Sequence, residues 1–244
     1  MDYSISYHPI SQTQMNEWYF DVFEDMGAAS DLKLRIPKEQ LKEHKLEDVK
    51  AFYMDKYKEM IKRSRELDYA SFNKWHAYFI AIIQGFFEKF YFVQGVALSA
   101  ILDEEFHQKY ITPWEEVIPS EYIEDLHAST RLEGEFSGGA YVSPEQVKAL
   151  LHDYEHDAYI KELLESQFIG KKIDVFLAAL KYASKNNQGL VEASRVIEQS
   201  DQVFEEPSCY SNIFNCDVIS AAIYTTELAA HYDAIYKGTG DTTA

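Results

Sequence analysis

Cysteine is scarce in this chain: Cys209 and Cys216 are its only two copies, and six residues separate them. That count excludes a disulfide scaffold, and the spacing is not that of a C-x-x-C redox or zinc pair. The first fourteen residues also lack a basic region followed by an apolar run, so we expect no signal peptide. These absences favour a reducing cytoplasm as the compartment and two buried, unreactive thiols.

Basic residues are also few. The sequence holds 23 Lys and Arg against 41 Asp and Glu, which gives a formal net charge of −18. Because basic surface supplies most of the affinity for nucleic-acid backbones and anionic lipid, direct binding to DNA, RNA or a membrane surface is not expected. The same field favours basic proteins or metal cations as partners, and it also keeps a protein soluble.

Long apolar runs are missing as well. The most hydrophobic stretch is residues 75–95, but its longest unbroken apolar run is Ala77 to Ile83, and Glu88 and Lys89 follow. A membrane-spanning helix needs about 20 mainly apolar residues, so a span is excluded here. The apolar positions advance by threes and fours through Val93, which predicts a central buried helix. Its narrow strip of small residues predicts a close contact with a neighbouring helix.

The remaining sequence predicts an α+β fold that is predominantly helical, with several amphipathic helices around the central buried helix and a small sheet. Tyr3, Ile5 and Tyr7 alternate with Ser4, Ser6 and His8, the pattern of a half-buried strand. We expect helices over about 11–25, 37–67, 143–168, 172–186 and 217–236, with strands ending at Val142 and starting at Gly189. The chain is interpreted as a single domain, 1–244, with a weak boundary near 129–140 and a flexible tail at 238–244.

The clearest chemical motif is "HDYEH", His152 to His156, which matches H-x-x-E-H. Two histidines four residues apart on a helix share a face and can bind one metal ion, and the motif places Glu155 as the base that activates a metal-bound water. This pattern resembles that of the inverted zinc proteases over five residues. The third ligand would come from elsewhere, and Glu227 and His231, themselves four residues apart, are the candidates. This motif supports a metal-dependent, zinc-containing hydrolase, which is the alternative to the binding function that the charge pattern favours below.

No other catalytic motif is present. The sequence lacks G-x-x-x-x-G-K-[ST], G-x-G-x-x-G and G-x-S-x-G, so nucleotide-binding and α/β-hydrolase functions have no support. A lone histidine inside the apolar helix, His76, is interpreted as a hydrogen-bonded core residue.

Charge is distributed unevenly along the chain. Residues 33–66 hold 11 basic against 7 acidic residues, a balance of +4, whereas residues 103–135 hold 10 acidic against 2 basic, a balance of −8. The leading hypothesis is therefore a non-enzymatic binding module that engages a basic protein partner through this acidic surface. The residues expected to contact the partner are Asp103, Glu104, Glu105, Glu115, Glu116, Glu121, Glu124 and Asp125. A homodimer joined through aromatic surface is a third interpretation.

Three segments carry a family resemblance: "FNKWHAYFIAI", "GGAYVSPEQVKALL" and "FLAALKYASKNNQGLV". Their order resembles that of the uncharacterised bacterial YfbM-like proteins, over less than a fifth of the chain. The resemblance implies a small cytoplasmic α/β protein of unknown activity. It assigns no catalytic residue.

Overall fold

The computed structural model describes residues 4–41, 45–67, 72–124, 126–198, 208–217 and 220. Its central layer is an antiparallel sheet built from β1 (Ser4–Ile10), β2 (Tyr91–Gln94), β3 (Gly138–Val142) and β4 (Gly189–Ser194). The strand order is β2-β1-β4-β3. A separate antiparallel pair joins β5 (Ile197–Glu198) to β6 (Ser208–Cys209).

Helices account for most of the remaining described chain. In chain order they are α1 (Gln12–Met15), α2 (Asp21–Glu24), α3 (Leu46–Glu66), α4 (Lys74–Phe87), α5 (Glu104–Tyr110), α6 (Pro144–His156), α7 (Ala158–Gln167) and α8 (Lys172–Lys185). A π-helical turn, Asn16–Phe20, joins the first two. Short 3-10 turns include Leu98–Ala100, Trp114–Glu116 and Ser120–Tyr122. The predicted fold class, a predominantly helical α+β protein, is confirmed.

The sheet is covered on both faces. Helix α4 packs against β1, β3 and β4, while α8 packs against β1, β2 and β4, and α6 packs against β4. Ile5 and Tyr7 belong to the apolar cluster around α8, whereas Tyr141 and Val191 belong to the cluster around α4. Strand β1 is consequently buried along its whole length. The prediction of a half-buried strand with Ser4, Ser6 and His8 toward solvent was wrong, because helices lie on both sides of this sheet.

The central buried helix is α4, and its predicted extent was too long. It ends at Phe87, and Tyr91–Gln94 is strand β2, which pairs with β1. A short apolar aromatic run has the same composition in a buried strand as in a buried helix, so its periodicity does not separate the two. The narrow strip of small residues on α4 contacts a strand instead of the predicted helix. A Cβ added to Gly138 of β3 would lie 2.4 Å from the Ala77 Cβ. Glycine at this position permits the close approach.

Two further helix boundaries differ from prediction. The helix expected from Pro37 begins at Leu46, because residues 32–37 form no regular secondary structure and a separate 3-10 turn precedes α3. The helix expected over 143–168 is divided at Asp157, which has an extended backbone and whose carboxylate accepts from the Tyr159 N–H at the start of α7. An aspartate cap inside an otherwise periodic stretch starts a new helix.

Three further predictions concern a membrane span, the C-terminal helix and the weak boundary near 129–140. Among the described residues, no helix has both the length and the apolar character needed to cross a bilayer. The helix predicted over 217–236 and the tail over 238–244 lie outside those residues, apart from 217 and 220. The segment 129–140, where the weak boundary was predicted, is hydrogen-bonded to two other parts of the chain. The Ser137 and Ser194 hydroxyls lie 3.3 Å apart, and the Leu132 N–H donates to the Ser99 hydroxyl at 3.3 Å.

Candidate functional site

The "HDYEH" residues lie at the exposed carboxyl end of α6. The rings of His152 and His156 stack with centroids 4.3 Å apart, and the His156 Nδ1 is 2.7 Å from the His152 carbonyl oxygen. This hydrogen bond occupies one ring nitrogen of His156. Glu155 is exposed beside them. The helix therefore places the histidines together, as predicted, but on the surface.

A metal centre requires at least a third ligand. No group of three His, Cys, Asp or Glu side chains able to hold a metal occurs within the part of the chain that the structure describes. Glu227 and His231, the residues predicted to complete the site, lie outside that part. Asp153 is used differently, since its carboxylate accepts from the Tyr110 hydroxyl at 2.6 Å and from the Lys109 ammonium at 2.8 Å. The zinc-hydrolase interpretation stays an untested prediction.

The predicted acidic residues at the start of α5 are partly engaged within the protein. Asp103 caps the helix by accepting from the Phe106 N–H at 2.9 Å, and it also accepts from the Tyr159 hydroxyl. The bond from Tyr159 is the main reason that the pKa of Asp103 is lowered. Glu104 lies 3.5 Å from the Arg131 guanidinium, whereas Glu105 is exposed.

The second group of predicted acids follows α5, within two 3-10 turns and just after the second one. Glu115, Glu116, Glu121 and Glu124 are all exposed, and Asp125 lies outside the described residues. The first turn is held by the buried Trp114, whose ring N–H donates to the Gly139 carbonyl, and by the exposed Gln12, whose amide donates to the Val117 carbonyl at 2.7 Å. The second turn is held by Tyr122, whose hydroxyl donates to Glu24. The carboxylates therefore project from a fixed backbone.

Residues 103–135 contain two basic residues, Lys109 and Arg131, and each contacts other groups of the protein. Lys109 pairs with Asp153, and hydrogen bonding to that carboxylate raises the pKa of the lysine. Arg131 donates to the carbonyls of Ser99 and Ile101 at 2.9 and 3.1 Å, in addition to its contact with Glu104. No cation of the described chain lies within 4 Å of the carboxylates of Glu105, Glu115, Glu116, Glu121 or Glu124. We call these five exposed residues the acidic surface.

A cavity of about 490 Å³ adjoins the acidic surface at Glu116. It lies between the 112–117 segment and the amino end of α6, where Glu145 supplies a second carboxylate. Its other lining residues are Gln12, Thr112, Val117, Tyr141, Ser143, Pro144 and Gln146. The volume falls in the range of small-ligand pockets, about 300–1,000 Å³.

A buried chain of hydrogen bonds resembles catalytic geometry without having its chemistry. The His8 Nδ1 lies 2.8 Å from the Gln84 Oε1, and its Nε2 lies 2.8 Å from the Ser6 hydroxyl. Gln84 donates its amide to the carbonyls of Pro9 and Lys89, so its oxygen accepts from His8 and Nε2 accepts from Ser6. This is the hydroxyl–imidazole order of a serine triad, but the third member is neutral and all three side chains are at most 1% exposed. Burial lowers the pKa of His8 to about 3, which keeps the ring neutral.

The most deeply buried carboxylate of the sheet is Glu192, opposite Tyr7 in the β1–β4 register. It accepts from the Tyr7 hydroxyl at 3.1 Å and from the Leu98 and Ser99 N–H groups at 2.5 and 3.3 Å. Burial raises the pKa of Glu192 despite these donors. The carboxylate fixes the 96–100 segment onto the sheet, and its contacts are all internal.

The cysteines pack together with apolar residues. Cys209 and Cys216 lie against Phe90, Phe92 and Ile197. Burial raises the pKa of Cys209 to about 11 and raises that of Cys216 as well. Both cysteines are half-buried and not fully buried as predicted, and the raised pKa values make the thiols poor nucleophiles at neutral pH. His76 is buried and accepts from the Asn73 N–H at 3.2 Å, which confirms its interpretation as a core residue.

Several residues at these sites were not found from the sequence. Glu145 was part of a recognised helix start, but nothing in its spacing related it to Glu116 or Tyr141. Glu192 stands in an alternating strand, where a polar residue normally indicates the solvent face. Glu192 is buried instead, because a second layer of helices covers the sheet.

No protein-family profile matches the sequence, and no curated protein or solved structure matches it. The resemblance to the YfbM-like proteins thus stays a prediction.

Proposed function

We propose that this protein is a non-enzymatic, cytoplasmic binding protein that holds a basic protein partner on its acidic surface. The observation that carries the proposal is the uncompensated charge: Lys109 and Arg131 are bound to other groups, while the five carboxylates of the acidic surface face solvent. A net charge of −18 adds a long-range attraction toward a basic partner.

The acidic surface also has a fixed shape. Glu105 stands on α5, and the other four carboxylates stand on or beside turns held by Trp114, Gln12 and Tyr122, so little backbone ordering accompanies binding. Exposed charges of this kind contribute mainly to the rate of association and to its salt dependence. Leu102, at 83% exposure, and the half-exposed Tyr159 beside Asp103 provide apolar contact area next to the charges.

The proposal is tested by titrating the protein into a fluorescent, lysine-rich peptide and recording anisotropy between about 50 and 300 mM salt. We expect saturable binding whose affinity falls steadily as salt rises, since the attraction is electrostatic. A peptide of equal length with serine in place of lysine is the control. Absence of binding at low salt, or binding that salt does not weaken, would overturn the proposal.

A further inference from the structure

The cavity beside Glu116 has walls that are already fixed by hydrogen bonds. The α6 capping box is complete, with the Gln146 N–H donating to the Ser143 hydroxyl and the Ser143 N–H donating to the Gln146 side chain. Thr112 donates its hydroxyl to the same Gln146 oxygen at 2.5 Å and its N–H to the Tyr141 carbonyl at 2.8 Å. A ligand would therefore enter a formed cavity.

Three other polar side chains of the cavity take no part in these internal hydrogen bonds. Glu116 and Glu145 are exposed, and no cation within the described ranges lies within 4 Å of either carboxylate. Tyr141 is only 3% exposed, yet no described residue hydrogen-bonds to its hydroxyl. The Tyr141 hydroxyl oxygen is not fully enclosed, so it faces the cavity and is free to bond a ligand.

The position of the Tyr141 hydroxyl follows from the sheet register. It lies over Gly189, where an added Cβ would be 2.4 Å away. Gly189 pairs with Ile10, and Gln12, another lining residue, follows two positions later. The phenol is also within electrostatic reach of Glu145, whose charge adds to the effect of burial in raising the pKa of Tyr141. The hydroxyl is therefore placed at the cavity end of the sheet.

The charge of the cavity selects its ligand. An anion is excluded although a helix begins here, because Pro144 has no N–H, Gln146 donates its N–H to Ser143, and both free side chains are carboxylates. A cationic head group fits the two carboxylates and the phenol oxygen. The apolar atoms of Val117 and Pro144 can receive the methylene stem of a lysine or arginine side chain.

We propose that this cavity is the anchor pocket for one lysine or arginine side chain of the basic partner, held by Glu116, Glu145 and Tyr141. This inference rests on the proposed function and sharpens it, because it assigns one contact a defined pocket while the remaining acidic surface supplies general attraction.

The test uses small probes, followed by NMR: the Nα-acetyl methylamides of lysine, arginine and norleucine. We expect the lysine and arginine probes to shift Tyr141 and Glu145 resonances with millimolar affinity and the norleucine probe to leave them unchanged. Glu116→Gln with Glu145→Gln is expected to weaken the cationic probes about tenfold or more, since two charge-assisted contacts are lost. The matched pair Glu121→Gln with Glu124→Gln removes equal charge and is expected to change the probe affinity less than about twofold.

Tyr141→Phe provides an independent arm. Because no described residue bonds to the hydroxyl, the free protein is expected to keep its melting temperature, while the probe affinity falls about threefold. Equal weakening by the two glutamine pairs, or no probe binding to a protein that still binds the lysine-rich peptide, would overturn the pocket and leave the proposed function intact. Probe binding without peptide binding would support the pocket and overturn the proposed function.

Discussion

The centre of the sheet and the acidic surface use the same chemical groups in opposite ways. Glu192 is a carboxylate with three internal donors, and His8 is an imidazole held between Gln84 and Ser6. Glu115 and Glu121, in contrast, are carboxylates on a fixed backbone that have no cation within 4 Å in the described chain. The first region uses Glu192 and His8 in internal hydrogen bonds, and the second leaves its charges available.

This difference separates stability from binding. Strongly shifted pKa values are often used to locate active sites. Here the shifts of His8 and Glu192 arise from burial within a closed core, where no substrate can reach them. Binding is assigned instead to exposed groups. We therefore expect substitutions in the sheet to change the free energy of unfolding and substitutions on the acidic surface to change affinity.

The largest expected effect on stability comes from Glu192→Ala. It leaves the N–H groups of Leu98 and Ser99 and the Tyr7 hydroxyl without their acceptor, at a cost of about 3–5 kcal/mol in the free energy of unfolding. Urea denaturation at neutral pH measures this change. Glu192→Gln retains one acceptor oxygen and is expected to cost roughly half as much. A loss below about 1 kcal/mol for the alanine variant would mean that the carboxylate does not hold the 96–100 segment.

His8 is expected to make stability depend on acid pH. Its pKa is about 3 in the folded protein, against about 6.5 when unfolded, so below pH 6.5 the unfolded chain binds a proton that the folded protein does not. Its contribution is therefore present above pH 6.5 and is lost as the pH falls toward 3, by up to about 1.4 kcal/mol per pH unit.

The measurement compares wild type with His8→Gln by urea denaturation between pH 7 and pH 4. The stability advantage of wild type over the variant should shrink as the pH falls. His76→Gln is expected to show a similar trend, because burial lowers the pKa of His76 to about 4. A difference that stays constant with pH would show that His8 accepts a proton in the folded state.

Neutralising the acidic surface should have a much smaller effect on folding. In a variant with glutamine at positions 115, 116, 121 and 124, the free energy of unfolding is expected to change by less than about 0.5 kcal/mol per site, and the sum to be favourable, since like charges are removed. Thermal unfolding of the variant tests this. A large destabilisation would indicate that these carboxylates have internal partners, which would remove the contrast with the sheet.

The smallest expected effect is that of His152→Ala with His156→Ala, less than about 0.5 kcal/mol, because both rings are exposed at the end of α6. Elemental analysis of the untagged wild type and of this variant, purified without chelator, accompanies the measurement. One zinc, iron or manganese per wild-type chain, lost in the variant, would favour the hydrolase interpretation.

The sequence predicted the parts of the fold that depend on local chemistry. The helix start at Ser143, the buried character of α4 and the exposure of Glu115, Glu116, Glu121 and Glu124 were predictable from residue order. Features that depend on tertiary packing were not. The strand at Tyr91–Gln94 and the burial of His8 follow from a second helical layer, and the cavity joins residues distant in sequence. Periodicity along one segment cannot show that helices cover both faces of the strand that it forms.

The most direct test of the account compares two variants of equal charge. One carries glutamine at positions 115, 116, 121 and 124, and the other neutralises four exposed acids of α3, Glu47, Asp48, Asp55 and Glu59. The quantity measured is the affinity for the lysine-rich peptide at about 50 mM salt. We predict a loss of about tenfold or more for the first variant and less than about threefold for the second. Equal losses would contradict the account, because attraction would then follow net charge alone and the acidic surface would have no particular role.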